Sequence, residues 1–236
     1  NDDGRIPVVA VTGTNGKTST KEMLALTLGT RFRVHATRAN LNNLIGVPLT
    51  ILEAPADTEA LVIEAGASVP GEIARYRQIV EPTVAVVTNV AAGHLEGFGS
   101  LEGVLREKLS LVESAPLAVV GTDPPALAAG ARHLARRVVT AGLEGAELRP
   151  ESVTLDSAGR ATVVTEQARF TLPLPGRHLA ANAMLAMAVG MHLGLDPRAV
   201  GRALERRELP GGRGQVVASG GLRIRNDCQN ANPLSF

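Results

Sequence analysis

The sequence predicts an α/β fold in which a mostly parallel sheet is flanked by helices and carries a small antiparallel meander. Short apolar and β-branched runs alternate over the first 140 residues with stretches of helical spacing. This alternation is typical of parallel sheets covered on both faces. Further along, segments with a period of two follow one another across glycine-containing turns, which is typical of antiparallel strands.

The parallel part contains five predicted strands and six predicted helices. The strands are residues 8–11, 60–63, 83–87, 117–120 and 138–140, and the helices are 17–28, 71–79, 101–112, 125–136, 179–193 and 197–206. Pro125 and Pro197 stand in first-turn positions, which tolerate proline. Each closely follows an aspartate, Asp123 or Asp196, that can cap the helix.

The antiparallel meander is predicted from residues 152–155, 161–165 and 168–172. A final hairpin, 215–218 with 222–225, follows the glycine-rich stretch 210–214, which we interpret as an interdomain hinge. The prediction therefore divides the chain into a main domain, 1–214, and the first hairpin of a second domain, 215–236.

Composition excludes several function classes. The 236 residues carry 24 Lys plus Arg against 23 Asp plus Glu, and only five residues are aromatic. A nucleic-acid partner is not expected, because binding to phosphate backbones requires clustered excess cations and single strands also favour aromatic stacking. No apolar run has the length of a membrane span, and no export signal is visible. The single Cys228 favours a reducing compartment, so we expect a cytoplasmic protein. Because residue 1 is not Met, a piece of a longer protein is also expected.

The sharpest motif is a loop between the first predicted strand and the first predicted helix, which reads T-G-T-N-G-K-T from Thr12. Gly13 and Gly16 allow the backbone N–H groups to wrap a phosphate, and the helix N-terminus adds positive potential. Lys17 can bridge the outer phosphates, and the Thr18 hydroxyl can ligate Mg²⁺. The match is to the shorter G-x-x-G-K-T form, and it predicts a P-loop-type sheet. The alternative is a chance glycine-rich turn before a capped helix.

Two further polar residues follow predicted strands. Glu64 ends the strand 60–63, and His94 lies in the loop after the strand 83–87. Ligands of open α/β sheets gather beyond the carboxyl ends of the strands, so Lys17, Glu64 and His94 are expected to converge. Glu64 is then a candidate metal ligand or holder of water, with a capping or solvated carboxylate as the alternative. For His94 the alternative is a surface histidine.

A nucleoside triphosphate site fits GTPases, kinases and ligases. A GTPase requires an N-K-x-D guanine reader, and no such tetrapeptide occurs. A protein kinase requires a different glycine loop and an H-R-D catalytic loop, and neither is present. These absences disfavour a GTPase and a protein kinase.

Six groups of residues are similar to motifs of a known family. They are 12–18 with 20–23, 40–48, 62–67, 94–100, 175–178 with 182–183, and 227–228 with 230–233. On these segments the chain resembles the Mur ligases, and within them the MurF type. The first segment is shared with folylpolyglutamate synthetases, whereas 40–48, 94–100 and 230–233 are more specific to the MurF type.

The resemblance implies ATP-dependent amide synthesis through an acyl phosphate, in the synthesis of peptidoglycan precursors. The implied small-molecule substrates are UDP-MurNAc-tripeptide and D-Ala-D-Ala, and the implied cofactors are ATP and Mg²⁺. A monomer is expected, with neither a membrane nor a nucleic acid as a partner.

The resemblance also implies roles for individual residues. Lys17, His94 and Lys108 are the implied catalytic residues, and Lys108, which the residue pattern alone interprets as a solvated lysine, would be the carbamylated lysine of the family. The implied metal ligands are Thr18, Glu64 and His94. The implied nucleotide-binding residues are Thr14, Asn15, Gly16, Lys17, Thr18, Ser19, Asn182 at the adenine, Arg213 at the γ-phosphate and Asp227 at the ribose. Asn40, Asn42 and Asn43 would lie toward the UDP-linked substrate.

The chain departs from the family pattern in three respects, one of which is Ser68 at a position where Asn is common. Asn226 and Gln229 stand where the family usually has Asp and Tyr, so the packing of a Tyr on the adenine is not expected. The family also has three domains, and the resemblance covers the central one with the start of the third. The isolated chain is therefore expected to bind nucleotide weakly and to ligate poorly. Two alternatives stay open: another Mur or folylpolyglutamate-type ligase, and a nucleotide-binding module without ligase activity.

Overall fold

A six-stranded parallel sheet forms the centre of the protein. Its strands are β1 (Val8–Thr12), β2 (Val34–Ala36), β3 (Ala60–Glu64), β4 (Val84–Val87), β5 (Leu117–Val120) and β6 (Val138–Thr140). They lie in the order β2-β3-β1-β4-β5-β6. The computed structural model describes residues 5–92, 95–206, 215–219 and 222–226. The five predicted strands are confirmed, whereas the edge strand β2 was not predicted because it has only three residues and the polar His35 at its middle.

Eight helices are described along the chain. They are α1 (Lys17–Leu28), α2 (Gly46–Leu52), α3 (Glu72–Val80), α4 (Leu95–Phe98), α5 (Leu101–Leu109), α6 (Pro125–Leu134), α7 (Arg177–His192) and α8 (Pro197–Leu204). The six predicted helices are confirmed, α1 with the predicted ends and the other five with shifted ends. The unpredicted α2 and α4 have only seven and four residues. Asp196 caps α8 as predicted, since it accepts hydrogen bonds from Arg198 N and Ala199 N. The cap predicted for Asp123 is wrong, because Pro124 occupies the N-cap of α6 and no side chain in the described ranges caps that helix.

Alternate residues of each central strand enter different cores. Val9 and Val11 pack with residues of α1 and α7 on one face of the sheet. Ala10, between them, packs with residues of α3, α5 and α6 on the other. Since both faces are covered, the strands need apolar residues at every position, which explains the uninterrupted apolar runs.

The antiparallel meander consists of β7 (Ser152–Leu155), β8 (Arg160–Val164) and β9 (Arg169–Pro175), paired in that order. Phe170 and Leu172 of β9 join the core that contains α1 and α7. The predicted final hairpin is confirmed as the antiparallel pair β10 (Gln215–Ser219) and β11 (Leu222–Asn226). The predicted hinge, 210–214, lies outside the described residues, and the division at 214 stays a prediction. None of the helices in the described ranges has the length and apolar character to cross a bilayer.

Candidate functional site

The carboxyl ends of β1, β3 and β4 lie side by side and form one edge of the site. Val11 pairs with Glu64, and Thr12 pairs with Val87, so β1 lies between the other two strands. The chain leaves β1 toward β2 and β3 on one side and later returns to β4 on the other. This is the switch in strand order beyond which open α/β sheets bind ligands.

The loop between β1 and α1 has the close packing that its two glycines allow. Gly13 has φ +146°, and a Cβ there would lie 1.9 Å from the Thr88 hydroxyl oxygen. Gly16 has φ +77°, and a Cβ there would lie 2.9 Å from Asn182 Oδ1. Residues that carry a side chain rarely adopt these φ values, and a Cβ has no room at either position. The loop leads into the first turn of α1, where backbone N–H groups lack intrahelical acceptors and favour an anion.

The segment after β4 holds the loop in shape. Asn89 accepts from Asn15 N through its side-chain Oδ1 (3.0 Å) and from Thr14 N through its backbone oxygen (3.0 Å). The Thr88 hydroxyl donates to Asn15 O at 2.6 Å, and Ala91 N donates to the Thr14 hydroxyl at 3.0 Å. The loop is therefore preformed. The segment 89–94 was predicted as a site through its His94, whereas the role of Thr88 and Asn89 in holding the loop was not predicted.

Lys17 folds over the same loop. Its Nζ donates to the carbonyl oxygens of Gly13 and Thr14, both at 2.9 Å. A lysine ammonium has three donors and no acceptor. A bound phosphate that takes these two donors would replace the carbonyl oxygens as partners of Lys17.

Glu64 is the centre of a buried polar cluster. It is 1% exposed, and its Oε1 accepts from the Thr18 hydroxyl (3.0 Å) and from Asn42 Nδ2 (2.8 Å). Its Oε2 is buried and has no hydrogen-bond partner among the residues that the structure describes. A buried carboxylate oxygen without a partner is costly unless a cation or another donor occupies the place beside it. The Thr18 hydroxyl can donate its proton to Glu64 and still offer its oxygen to a cation. These oxygen donors fit Mg²⁺, which takes few protein ligands beside nucleotide phosphates and water.

The three asparagines predicted to face the UDP-linked substrate have separate environments. Asn42 contacts Glu64, and its backbone oxygen accepts from Gly66 N at 2.8 Å. Asn43 Oδ1 accepts from Ile45 N and Gly46 N at the start of α2. Asn40 is exposed. Asn42 thus lies within the Glu64 cluster, and the contact of these residues with a substrate stays a prediction.

Lys108 is buried on α5 and belongs to the same region. It is 2% exposed, and its Nζ lies 5.6 Å from the centre of the Phe98 ring. Its interpretation as a solvated lysine is therefore wrong. Burial, and next the Lys17 ammonium, lower the pKa of Lys108 from 10.5 to about 7, while Glu107 and Glu72 act in the opposite direction. Half of these amines are therefore neutral near pH 7.

Some of the other predicted site residues lie near the phosphate loop, and others lie outside the described residues. Asn182, on α7, is 5% exposed and lies against Gly16, so it reaches the phosphate loop. Ser19 is buried in the first turn of α1. His94, Arg213 and Asp227 lie outside the described residues. Within the described ranges, no group of three or more His, Cys, Asp or Glu side chains could hold a metal ion.

Comparison with known proteins decides the family. The family model described as "Mur ligase middle domain" matches residues 11–190. This chain belongs to the Mur ligase family. It is 35% identical over 235 residues to the UDP-N-acetylmuramoyl-tripeptide–D-alanyl-D-alanine ligase of Bacillus subtilis, which covers 97% of this chain and 51% of the relative.

Solved structures of Mur ligases have the same fold. MurF from Acinetobacter baumannii matches with a TM-score of 0.89 and 31% identity, over 99% of this chain and 53% of that one. MurF from Thermotoga maritima, solved in complex with ADP, matches with a TM-score of 0.85 and 31% identity, over 98% of this chain and 55% of that one. The resemblance to the MurF type is thus confirmed. The chain spans about half the length of the curated relatives that it matches.

Proposed function

We propose that this Mur ligase chain is the ATP-binding part of an enzyme that joins D-Ala-D-Ala to UDP-MurNAc-tripeptide in the synthesis of peptidoglycan precursors. One observation carries the proposal: the Thr18 hydroxyl, in the first turn of α1 after the preformed phosphate loop, contacts Glu64, whose buried Oε2 has no hydrogen-bond partner in the described part of the chain. The proposed substrates are those in the names of the MurF relatives, and the ADP complex of the Thermotoga protein supports the binding of ATP.

The proposed reaction has two steps. A carboxylate is a poor electrophile, so an oxygen of the tripeptide carboxylate attacks the γ-phosphorus of ATP and ADP leaves. The amine of D-Ala-D-Ala then attacks the acyl carbon, loses a proton and displaces inorganic phosphate. Both steps bring anions together, so the protein contributes mainly position and positive charge.

The described residues suit this task. The preformed loop and the first turn of α1 would bind the phosphates, and Lys17 would neutralise charge on the outer ones. Thr18 and Glu64 would hold Mg²⁺, which when bound neutralises phosphate charge and fixes phosphate orientation. Asn42 would keep Oε1 of Glu64 occupied, so that Oε2 is the oxygen turned to the cation.

Lys108 would carry a carbamate. Its neutral amine adds to CO₂ and releases one proton, which converts a buried uncharged amine into an anionic carbamate able to support a metal or the acyl phosphate. Its burial and its pKa of about 7 favour this step, because only the neutral amine is nucleophilic. We further propose His94 as a metal ligand, Asn182 at the adenine, Arg213 at the γ-phosphate, Asp227 at the ribose, and a monomeric cytoplasmic enzyme.

Amine-dependent phosphate release by the full-length protein tests the proposal. With UDP-MurNAc-tripeptide and ATP present, we expect phosphate only when D-Ala-D-Ala is added. Dependence on glutamate instead would indicate a folylpolyglutamate-type or other Mur ligase, and ATP binding without any amine-dependent release would indicate a nucleotide-binding module. The 236-residue chain alone should release little phosphate, because both substrates must be held in line. Robust turnover by this chain would contradict that expectation.

A further inference from the structure

A second buried acid, Glu107, lies next to Lys108 on α5. It is 7% exposed. Its Oε2 accepts from Gly71 N and its Oε1 from Ile73 N, each at 2.8 Å. Both donors belong to the start of α3, where the helix dipole favours an anion. Glu107 therefore caps a helix that lies more than 30 residues before it in the chain.

The start of α3 depends on this distant carboxylate. The N-cap residue is Gly71, with φ +91°, and it has no side chain with which to cap. Glu72, the first residue of the helix, accepts instead from Ser68 N at 2.7 Å and from Val69 N at 3.0 Å. Glu72 therefore stabilises the preceding turn, whereas Glu107 accepts hydrogen bonds from the N–H groups at the start of α3.

This contact joins two parts of the site. The turn 65–71 follows Glu64 directly, and α5 carries Lys108. The same turn also lies close to α4, since a Cβ at Gly97 would be 2.2 Å from Ser68 O. The turn after Glu64 is thus packed against α4 and α5, the two helices whose Phe98 and Lys108 side chains lie close together.

We propose that Glu107 is a positioning residue that fixes Lys108 in the site by locking the turn after Glu64 to α5. The catalytic importance of a fixed Lys108 rests on the proposed function, whereas the fixing of Lys108 by Glu107 does not. Glu107→Gln keeps one acceptor oxygen and turns an NH₂ group toward a backbone N–H donor. α5 must then shift to separate the two donors, and the Lys108 amine becomes accessible.

Acylation of lysines with sulfo-N-hydroxysuccinimide acetate, followed by peptide mass spectrometry in CO₂-free buffer, measures this accessibility. The chain has three lysines, Lys17, Lys21 and Lys108. Lys21 and Lys108 are each 2% exposed, whereas Lys17 is only half-buried. In the wild type we expect Lys17 alone to react readily. In Glu107→Gln the Lys108 rate should rise about tenfold, the effect of losing one buried hydrogen bond, with Lys21 unchanged.

A matched control separates this role from general stability. Glu113 accepts from Arg77 Nη2 at 2.8 Å and so also ties α3 to the segment after α5, but at an exposed position. Glu113→Gln should leave Lys108 protected. Equal increases at Lys21 and Lys108 in Glu107→Gln would indicate general unfolding and overturn the proposal. Continued protection of Lys108 in both Glu107→Gln and Glu107→Ala would overturn it as well.

Kinetics of the full-length protein complete the test. For Glu107→Gln we expect kcat to fall about tenfold or more, while the KM for ATP changes less than about threefold, because the phosphate loop is untouched. A rise in KM with an unchanged kcat would contradict the role through Lys108. If the full-length wild type releases no phosphate but Lys108 is exposed selectively in the variant, the proposed function fails and the positioning role stands.

Discussion

Replacing Lys108 with Met should make the protein more stable and remove part of its pH dependence. Burial, and next the Lys17 ammonium, lower the pKa of Lys108 to about 7 in the folded chain, from 10.5 for an unperturbed lysine. Between these two values the unfolded chain holds a proton that the folded chain lacks. Stability therefore rises with pH across this window and falls as the pH drops toward 7.

The magnitude follows from proton linkage. One full proton of difference corresponds to about 1.4 kcal/mol per pH unit. Because Lys108 is half protonated near pH 7 in the folded state, the free energy of unfolding should rise by about 2 kcal/mol between pH 7 and pH 9 on its account. Met keeps most of the alkyl volume of Lys108 without its charge. The free energy of unfolding of the variant should therefore lack this rise between pH 7 and pH 9.

Urea unfolding in CO₂-free buffers at pH 7, 8 and 9 measures the effect as the difference between wild type and Lys108→Met. Titrating groups that do not interact with Lys108 contribute equally to both proteins and cancel. Arg106→Met is the matched control, because Arg106 is an exposed cation on the same helix, and its curve should run parallel to that of the wild type. Parallel curves for wild type and Lys108→Met would refute the reasoning.

Three further variants test the site. Lys17→Ala should abolish ATP binding in calorimetry, with a loss of about 100-fold or more, because backbone N–H groups alone leave phosphate charge unneutralised; unchanged affinity would contradict the assigned site. Glu64→Gln should reduce the gain in ATP affinity produced by Mg²⁺ about tenfold and leave metal-free binding unaltered, and an equal loss in both conditions would argue against a metal ligand. Gly16→Ala should lower the free energy of unfolding by about 1–3 kcal/mol in urea titrations, since its Cβ would lie 2.9 Å from Asn182 Oδ1 at φ +77°; wild-type stability would exclude the strain.

The sequence predicted the sheet and the phosphate loop because both depend on local patterns. Uninterrupted apolar runs identify buried strands, and glycines before Lys17 identify a turn that leads into a helix. The position of Glu64 followed from the rule that the ends of parallel strands share an edge. Its pairing with Val11 and its hydrogen bond with Thr18 agree with that rule.

Other features depend on contacts between distant residues and were missed. Glu107 caps α3 across 34 to 36 residues, and no helical spacing indicates such a contact. The burial of Lys108 beside Phe98 likewise requires α4, which is too short to be predicted from periodicity. Asn42 was assigned to a substrate by resemblance, and only the three-dimensional structure brings its amide to Glu64.

The hydrogen bonds of Lys17 to Gly13 O and Thr14 O give the phosphate loop a means of discriminating between anions. A ligand that takes these two donors of the ammonium must replace two well-formed neutral contacts. A lone sulfate or orthophosphate gains few compensating interactions, whereas a polyphosphate reaches Lys17 while its other groups rest on the loop and the helix terminus. Selectivity for a nucleotide over the abundant small anions of a cell would then arise from a competition internal to the protein, before any contact with the base or the sugar.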